Sequence, residues 1–149
     1  MGINGARILF GALAGFVIGL GVFTFVYAEG ASYLSNDSAA CANCHVMQEQ
    51  YDGWLKSSHR AVAACNDCHT PRPFLMKWGM KALNGARHSW AFTTGLFSEP
   101  IFVTPLNQRV TEDACRNCHA EMTAAMTHPS GGAEKRFCVN CHRSVGHLH

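Results

Sequence analysis

Charge of either sign is scarce in this chain of 149 residues, which has 12 lysines and arginines, 10 aspartates and glutamates and a formal net charge of +2. A nucleic-acid-binding surface needs clustered lysine and arginine, so the composition does not indicate nucleic acid as a partner. The chain is also short. About 120 residues lie outside its most apolar segment, too few to bury a sizeable core made of protein alone.

No cysteine is left over for a disulfide, because all eight belong to four copies of a C-x-x-C-H motif. This motif is the attachment signature of a c-type haem. Its two thiols reach the two vinyl groups of one porphyrin, and the adjacent histidine points at the iron. The four copies are Cys41, Cys44 and His45; Cys65, Cys68 and His69; Cys115, Cys118 and His119; and Cys138, Cys141 and His142.

Two four-cysteine zinc sites would use the same cysteines, but zinc does not explain a histidine after every pair. We therefore predict four covalently attached c-type haems. So little protein around four haems predicts a mostly α and irregular fold, with one transmembrane helix and a small multihaem cytochrome c domain whose core is the haems. The chain without haem should be largely unfolded.

Residues 8–27 form an uninterrupted run of 20 residues without a charge. A helix of this length spans about 30 Å, the hydrocarbon thickness of a bilayer. A cleaved signal peptide is the alternative, with Val26, Tyr27 and Ala28 resembling a cleavage site, but the apolar run exceeds a normal signal-peptide core. We therefore expect a retained anchor. Gly11, Gly15 and Gly19 form a small-residue stripe through which two copies of the chain could associate as a homodimer.

The charges that flank the apolar run predict its orientation. Arg7 precedes it, whereas Glu29 and Asp37 follow it. By the positive-inside rule, residues 1–28 comprise a cytoplasmic amino terminus and a single-pass anchor in the cytoplasmic (inner) membrane. Residues 29–149 then form a periplasmic tetrahaem domain, in agreement with covalent haem attachment outside the cytoplasm.

The motifs are unevenly spaced, and the interval of 45 residues between His69 and Cys115 is the longest. Residues 74–87 are predicted to form a helix with a basic rim of Lys77, Lys81 and Arg87. We expect this interval to lie at the membrane interface, although its aromatic side chains could instead pack on porphyrin faces. These side chains belong to an apolar stretch that follows the predicted helix: Trp90, Phe92, Leu96, Phe97, Ile101, Phe102 and Val103.

Four haems have eight axial positions, so ligands beyond the motif histidines are needed. His147 follows His142 too closely to reach the opposite face of the same haem, and we predict that it binds the second haem opposite His69. By the same argument, His59 is predicted to bind the third haem opposite His119. His128 is expected in a loop and His149 in solvent, and Met47 is by default a packing residue.

Several features together resemble the NapC/NirT family of membrane-anchored quinol dehydrogenases over nearly the whole chain. They are the single anchor, the long middle interval, the C-x-x-C-H-x-M pattern that ends at Met47, and the K-x5-R pattern of Lys81 to Arg87. The short length and the end soon after the fourth motif most resemble its nitrite reductase small-subunit branch.

The resemblance implies roles that spacing does not show. In this branch Met47 would bind the iron of the first haem, with His45 not bound, and Lys81 would belong to the quinol site beside it. His59 and His147 correspond to the family's distal ligands. The haem on His142 can take a lysine of the catalytic partner as its distal ligand. Where the relatives have aspartate, this chain has His88, which could accept a quinol proton or bind the first iron.

The function that the resemblance implies is a menaquinol dehydrogenase that passes electrons to a multihaem nitrite reductase catalytic subunit. Three other interpretations remain: a donor to nitrate reductase or to several reductases, a passive relay without a quinol site, and a terminal reductase with an open haem. The relay predicts haems that are all six-coordinate. The chain is too short to enclose the substrate pocket that a terminal reductase needs.

Overall fold

The structure is a computed structural model, and it describes residues 3–124 and 137–147. Within these ranges the backbone forms helices, tight turns and irregular segments and no strand, which confirms the mostly α and irregular fold class. The predictions for His128 and His149 lie outside the described residues. The chain divides into two compact units, residues 1–35 and residues 36–149.

The first unit is dominated by one apolar helix, α1 (Ile3–Tyr27), followed by a 3-10 turn at Gly30–Leu34. Apolar side chains are exposed on every side of α1, among them Phe10, Val17 and Phe23. By length and composition α1 could cross a bilayer, and an apolar surface all round is what lipid contact requires. The predicted division of the chain into domains after residue 28 remains a prediction.

The described part of the second unit contains six α-helices, three of which carry the two cysteines of a motif. After 3-10 turns at Ser38–Asn43 and His45–Met47 come α2 (Gln48–Leu55), α3 (Cys65–His69), α4 (Phe74–Thr94), α5 (Pro105–Cys118), α6 (Ala120–Thr123) and α7 (Cys138–Cys141). The two cysteines of a motif are three positions apart, so one helical turn places both thiols on the same face. α5 packs against both α3 and α7.

The helix of the long interval differs from the prediction at its carboxyl end. The predicted helix ends at Arg87, but α4 continues to Thr94 and ends where Gly95 adopts a left-handed conformation with φ 67°. No proline or glycine interrupts residues 88–94, and Gly95 is the first residue that readily takes this conformation. Trp90 and Phe92 therefore lie in the last turns of α4 rather than in the stretch after it.

The start of α5 has two clear helix-initiation signals. The Thr104 side chain accepts a hydrogen bond from the backbone N–H of Asn107 at 3.3 Å, and Pro105 occupies the first turn. Both residue types favour a helix start. Threonine accepts a hydrogen bond from a backbone N–H that has no partner within the helix, and proline has a backbone φ angle fixed near the helical value. The result is a stable helix whose last turn contains Cys115 and Cys118.

The second unit has almost no apolar core of its own. Among the described residues, Val110 and Ala114 are the only buried apolar side chains, while Ser38, Thr70, Lys81 and Glu112 are buried polar ones. Two small side chains cannot offset the conformational entropy of ordering more than a hundred residues. Bound haem must supply the remaining apolar contact.

We expect protein produced in cells that lack haem-attachment enzymes to be largely unfolded outside α1. The physical reason is the absence of a protein core in the described part of the second unit. Amide hydrogen exchange in detergent would show rapid exchange over residues 36–124, with α1 as the internal protected control. Equal protection of residues 36–124 with and without haem would contradict this expectation.

Candidate haem sites

Two pairs of histidine rings from distant parts of the sequence face each other. The ring centroids of His69 and His147 are 6.0 Å apart, and those of His59 and His119 are 6.1 Å apart. Two imidazoles on opposite sides of one metal ion have centroids about 6 Å apart when each metal–nitrogen bond is about 2 Å. The structure therefore brings together both of the pairs predicted from sequence, at a separation that suits an iron between them.

A backbone carbonyl holds each of the two distal rings. His59 Nδ1 donates to the carbonyl of Val145 at 2.9 Å, and His147 Nδ1 donates to the carbonyl of Gln50 at 2.8 Å. A carbonyl can only accept, so the proton is on Nδ1 in both rings and the lone pair is on Nε2. This arrangement orients a metal-binding imidazole and selects its tautomer.

Burial and, after it, the neighbouring His147 ring lower the pKa of His69 to about 4. An iron ligand must be a neutral imidazole. His69 is therefore already in the ligating protonation state at neutral pH.

The residues of the first motif lie in consecutive tight turns. Met47 is half-buried and His45 is exposed, and the Met47 amide donates to the Cys44 carbonyl at 2.8 Å. Both candidate ligands are thus within one turn of the attachment cysteines. The assignment of Met47 as the iron ligand remains a prediction.

His142 of the fourth motif has different surroundings. It directly follows α7, is exposed, and makes no ring contact with another histidine in the part of the chain that the structure describes. A distal ligand from outside this chain would have access to such a position.

The attachment cysteines of successive motifs are neighbours in space. A side-chain hydrogen bond joins Cys41 to Cys65 and lowers the pKa of the Cys65 thiol below its usual range. Burial and, after it, the charge of Cys115 raise the pKa of Cys68 to about 11. Cys115 and Cys138 also interact electrostatically. The four motifs therefore follow one another in space in the order of the sequence.

The cysteine chemistry fits haem attachment better than zinc. All eight cysteines are described, and none forms a disulfide. Within residues 3–124 and 137–147, no group of three or more histidine, cysteine, aspartate or glutamate side chains is arranged to hold a metal ion. A structural zinc site needs four such ligands, whereas a haem iron takes at most two from the protein.

Lys81 lies beside the first motif. It is 7% exposed, its Nζ is 3.4 Å from Asn36 Oδ1, and it stands 5.1 Å from the centre of the Trp78 ring. Burial and, after it, the charge of Lys77 hold the pKa of Lys81 below its usual range, while the Cys41 thiol acts in the opposite direction. The predicted quinol-site lysine is thus buried within electrostatic range of the first attachment cysteine.

His88 occupies the same face of α4 as Lys81, because seven residues are almost two helical turns and separate the two positions by roughly 10 Å. His88 is exposed. Partial burial of its ring and, after it, the charge of Arg87 hold its pKa below the usual range. His88 is therefore mainly neutral at pH 7 and able to accept a proton.

Two charged residues near the attachment cysteines were not identified from the sequence. Glu112 is buried and hydrogen-bonds Arg116 and Cys138, and Arg72 Nη2 donates to Cys118 Sγ at 3.0 Å. The spacing of Glu112 and Arg116 indicates an ordinary ion pair along a helix. Nothing in the sequence shows that Glu112 is covered by the segment of the fourth motif.

One apolar helix, four attachment motifs and two opposed histidine pairs define a membrane-anchored c-type cytochrome. A model of the NapC/NirT cytochrome c family, N-terminal region, matches residues 4–149. The chain belongs to this family, and it therefore binds c-type haem covalently.

Individual relatives agree with this placement. The chain is 35% identical to the cytochrome c-type protein NrfH of Wolinella succinogenes, over 94% of this chain and 86% of the relative. It is 30% identical to the cytochrome c nitrite reductase subunit NrfH of Nitratidesulfovibrio vulgaris, over 97% and 87%. A solved structure of the cytochrome c nitrite reductase NrfHA complex bound to the HQNO inhibitor matches with a TM-score of 0.65 and 30% identity, over 95% of this chain and 90% of that one.

We expect His147→Ala to convert one low-spin haem to a high-spin haem, because it removes the ring that faces His69. Electron paramagnetic resonance and visible spectra of the haem-loaded protein would detect the change. The matched control is Gln50→Ala, which keeps the backbone carbonyl that holds His147 and should leave the spectra unchanged. An unaltered spectrum of His147→Ala would exclude His147 as an iron ligand.

Proposed function

We propose that this chain is a membrane-anchored tetrahaem cytochrome c that oxidises menaquinol and delivers electrons to a multihaem nitrite reductase catalytic subunit in the periplasm. The observation that carries the proposal is the continuous series of attachment motifs. The series begins beside Lys81 on α4 and ends at the exposed His142. The similarity to two proteins named NrfH, one of them a cytochrome c nitrite reductase subunit, supports a nitrite reductase as the electron acceptor.

Bound haems would supply one-electron carriers, which the protein has to hold in fixed positions. Four pairs of cysteines would attach them. His69 with His147 and His119 with His59 would ligate the second and third haems, and the geometry of both ring pairs supports this assignment. Met47 and His142 would ligate the first and the fourth.

Oxidation of a quinol releases protons as well as electrons, so a quinol site needs a proton acceptor near the first haem. Lys81 and His88 lie on one face of α4, and Lys81 is within electrostatic range of Cys41. The lowered pKa of His88 favours the neutral ring that can take a proton from a quinol hydroxyl. Lys81, whose ammonium is held by Asn36, would hydrogen-bond the quinol oxygen.

An exposed apolar surface supports placement of this site at the membrane, where menaquinol dissolves. Trp90, Phe92, Leu96 and Phe102 are exposed at the end of α4 and after it. Aromatic and aliphatic side chains of this kind insert at headgroup depth. With α1 as the anchor, the proposal places the amino terminus in the cytoplasm and the haem domain in the periplasm.

The catalytic partner would bind near the fourth motif, where a lysine of that partner could complete the coordination of the haem on His142. Self-association of the anchor is a second proposed contact. A Cβ atom added at Gly11, Gly15 or Gly19 would meet no atom within 4 Å, so a second helix could approach this stripe closely.

A donor to nitrate reductase is the second candidate. The chain is 26% identical to the cytochrome c-type protein NapC of Escherichia coli, over 91% of this chain and 79% of that relative. This identity is lower than that to either NrfH protein, which favours the nitrite reductase interpretation.

Gentle detergent purification from native membranes should recover a complex with a multihaem catalytic subunit. The complex should reduce nitrite when supplied with a reduced menaquinone analogue. A protein with α1 deleted is the control for the membrane requirement. Recovery of a molybdenum enzyme instead, or quinol-independent activity, would reject the nitrite reductase assignment.

We expect His88→Gln to lower the rate of quinol-driven haem reduction by roughly 100-fold, the scale of a lost general base. In the wild type the rate should fall as the pH drops through the lowered pKa of His88, because the ring becomes protonated. This acid limb should be absent in His88→Gln, and stopped-flow absorbance across the pH range would measure both effects.

Lys81→Ala should raise the quinol concentration needed for half-maximal reduction, because it removes a hydrogen-bond donor to the substrate. The matched control is Lys56→Ala at the end of α2, which changes an exposed lysine. Unchanged kinetics in both Lys81→Ala and His88→Gln would remove the α4 face from the mechanism.

A further inference from the structure

Glu112 is the most deeply buried charged side chain of the described residues, with 1% of its surface exposed. Neither haem attachment nor quinol binding as proposed above uses it. A buried carboxylate is costly unless its lone pairs are fully engaged, so its surroundings are informative.

The two carboxylate oxygens of Glu112 bind two different motifs. Oε1 accepts from Arg116, with 2.7 Å to Nε and 2.6 Å to Nη2, and Arg116 lies between the two cysteines of the third motif. Oε2 accepts from the backbone N–H of Cys138 at 2.6 Å, and Cys138 begins the fourth motif. One side chain therefore connects α5 to α7 where the two attachment segments meet.

The charge of Glu112 also lies close to an atom that haem attachment modifies. Cys138 Sγ is 3.3 Å from Oε1, and this sulfur becomes a thioether bonded to the porphyrin when the fourth haem is attached. Charges in a poorly solvated site act more strongly than charges in water. Burial and nearby charge are among the ways in which a protein sets a haem reduction potential.

We propose that Glu112 is a positioning residue for the fourth haem, and that the Glu112–Arg116 pair, of which the carboxylate is buried, sets the relative reduction potentials of the haems on the third and fourth motifs. This inference rests on the four-haem part of the proposed function. The negative carboxylate disfavours an electron added to a nearby haem and lowers its reduction potential, whereas the positive guanidinium favours the electron and raises that potential.

The opposite signs allow a direct test on the full-length, haem-loaded protein in detergent. Glu112→Gln keeps the shape but removes a negative charge, and potentiometric titration followed by visible spectra should show two of the haem potentials shifted upward. Arg116→Gln removes the positive charge and should shift the same potentials downward. The exposed neighbour on the same helix supplies the control, since Asp113→Asn should leave all potentials unchanged.

A purely structural role predicts a different pattern, because loosening the α5–α7 junction would move both variants in the same direction. Shifts of the same sign, or no shift in either variant, would overturn the inference. If Glu112→Gln does not retain its fourth haem, the comparison of Arg116→Gln with Arg116→Lys tests the inference. Arg116→Gln should lower the potentials, whereas Arg116→Lys keeps the positive charge and should not. Haem counting by mass spectrometry distinguishes a failure of the proposed function from a failure of this inference. Fewer than four haems on the wild-type protein would contradict the proposed function instead.

Discussion

Opposed imidazole rings connect the segments of the second unit, and most of the other structural features are arranged around them. His147 meets His69 and His59 meets His119 across gaps of 6.0 and 6.1 Å. Backbone carbonyls of Gln50 and Val145 hold the two distal rings in turn. The carboxyl-terminal segment is thus held to α2 and α3 by polar contacts that suit iron ligation, in a unit that has almost no apolar core.

A fold whose core is a cofactor has to place its charges differently from an ordinary domain. Lys81 and Glu112 are buried near different motifs of the series, each with a polar partner that offsets the cost of desolvation. Lys81 lies beside the first motif, where a substrate would bind in the proposed function. Glu112 lies between the third and fourth motifs, where charge bears on electron transfer. Each buried charge therefore stands near a proposed redox centre.

From a simple limit on chain length, sequence reasoning excluded the adjacent haem as the partner of His147 and of His59, and it then predicted His69 and His119 as the opposite ligands. A ligand only five residues from a motif histidine cannot pass around the porphyrin edge, so it must serve another haem. The sequence analysis placed the end of α4 too early, at Arg87 rather than Thr94. It grouped Trp90 and Phe92 by their aromatic character rather than by the helical preference of their backbone. It also missed Glu112, since a carboxylate four residues from an arginine looks identical whether it is exposed or covered by a distant segment.

The sequence by itself determined the chemistry of attachment and the existence of the anchor. Both depend on local patterns: thiols three positions apart with an adjacent histidine, and a charge-free run of 20 residues. Only the tertiary structure decided which motifs are neighbours, that Lys81 is buried within electrostatic range of Cys41, and that Glu112 bridges α5 and α7. These are contacts between residues 23 or more positions apart, and their formation depends on how the chain packs as a whole.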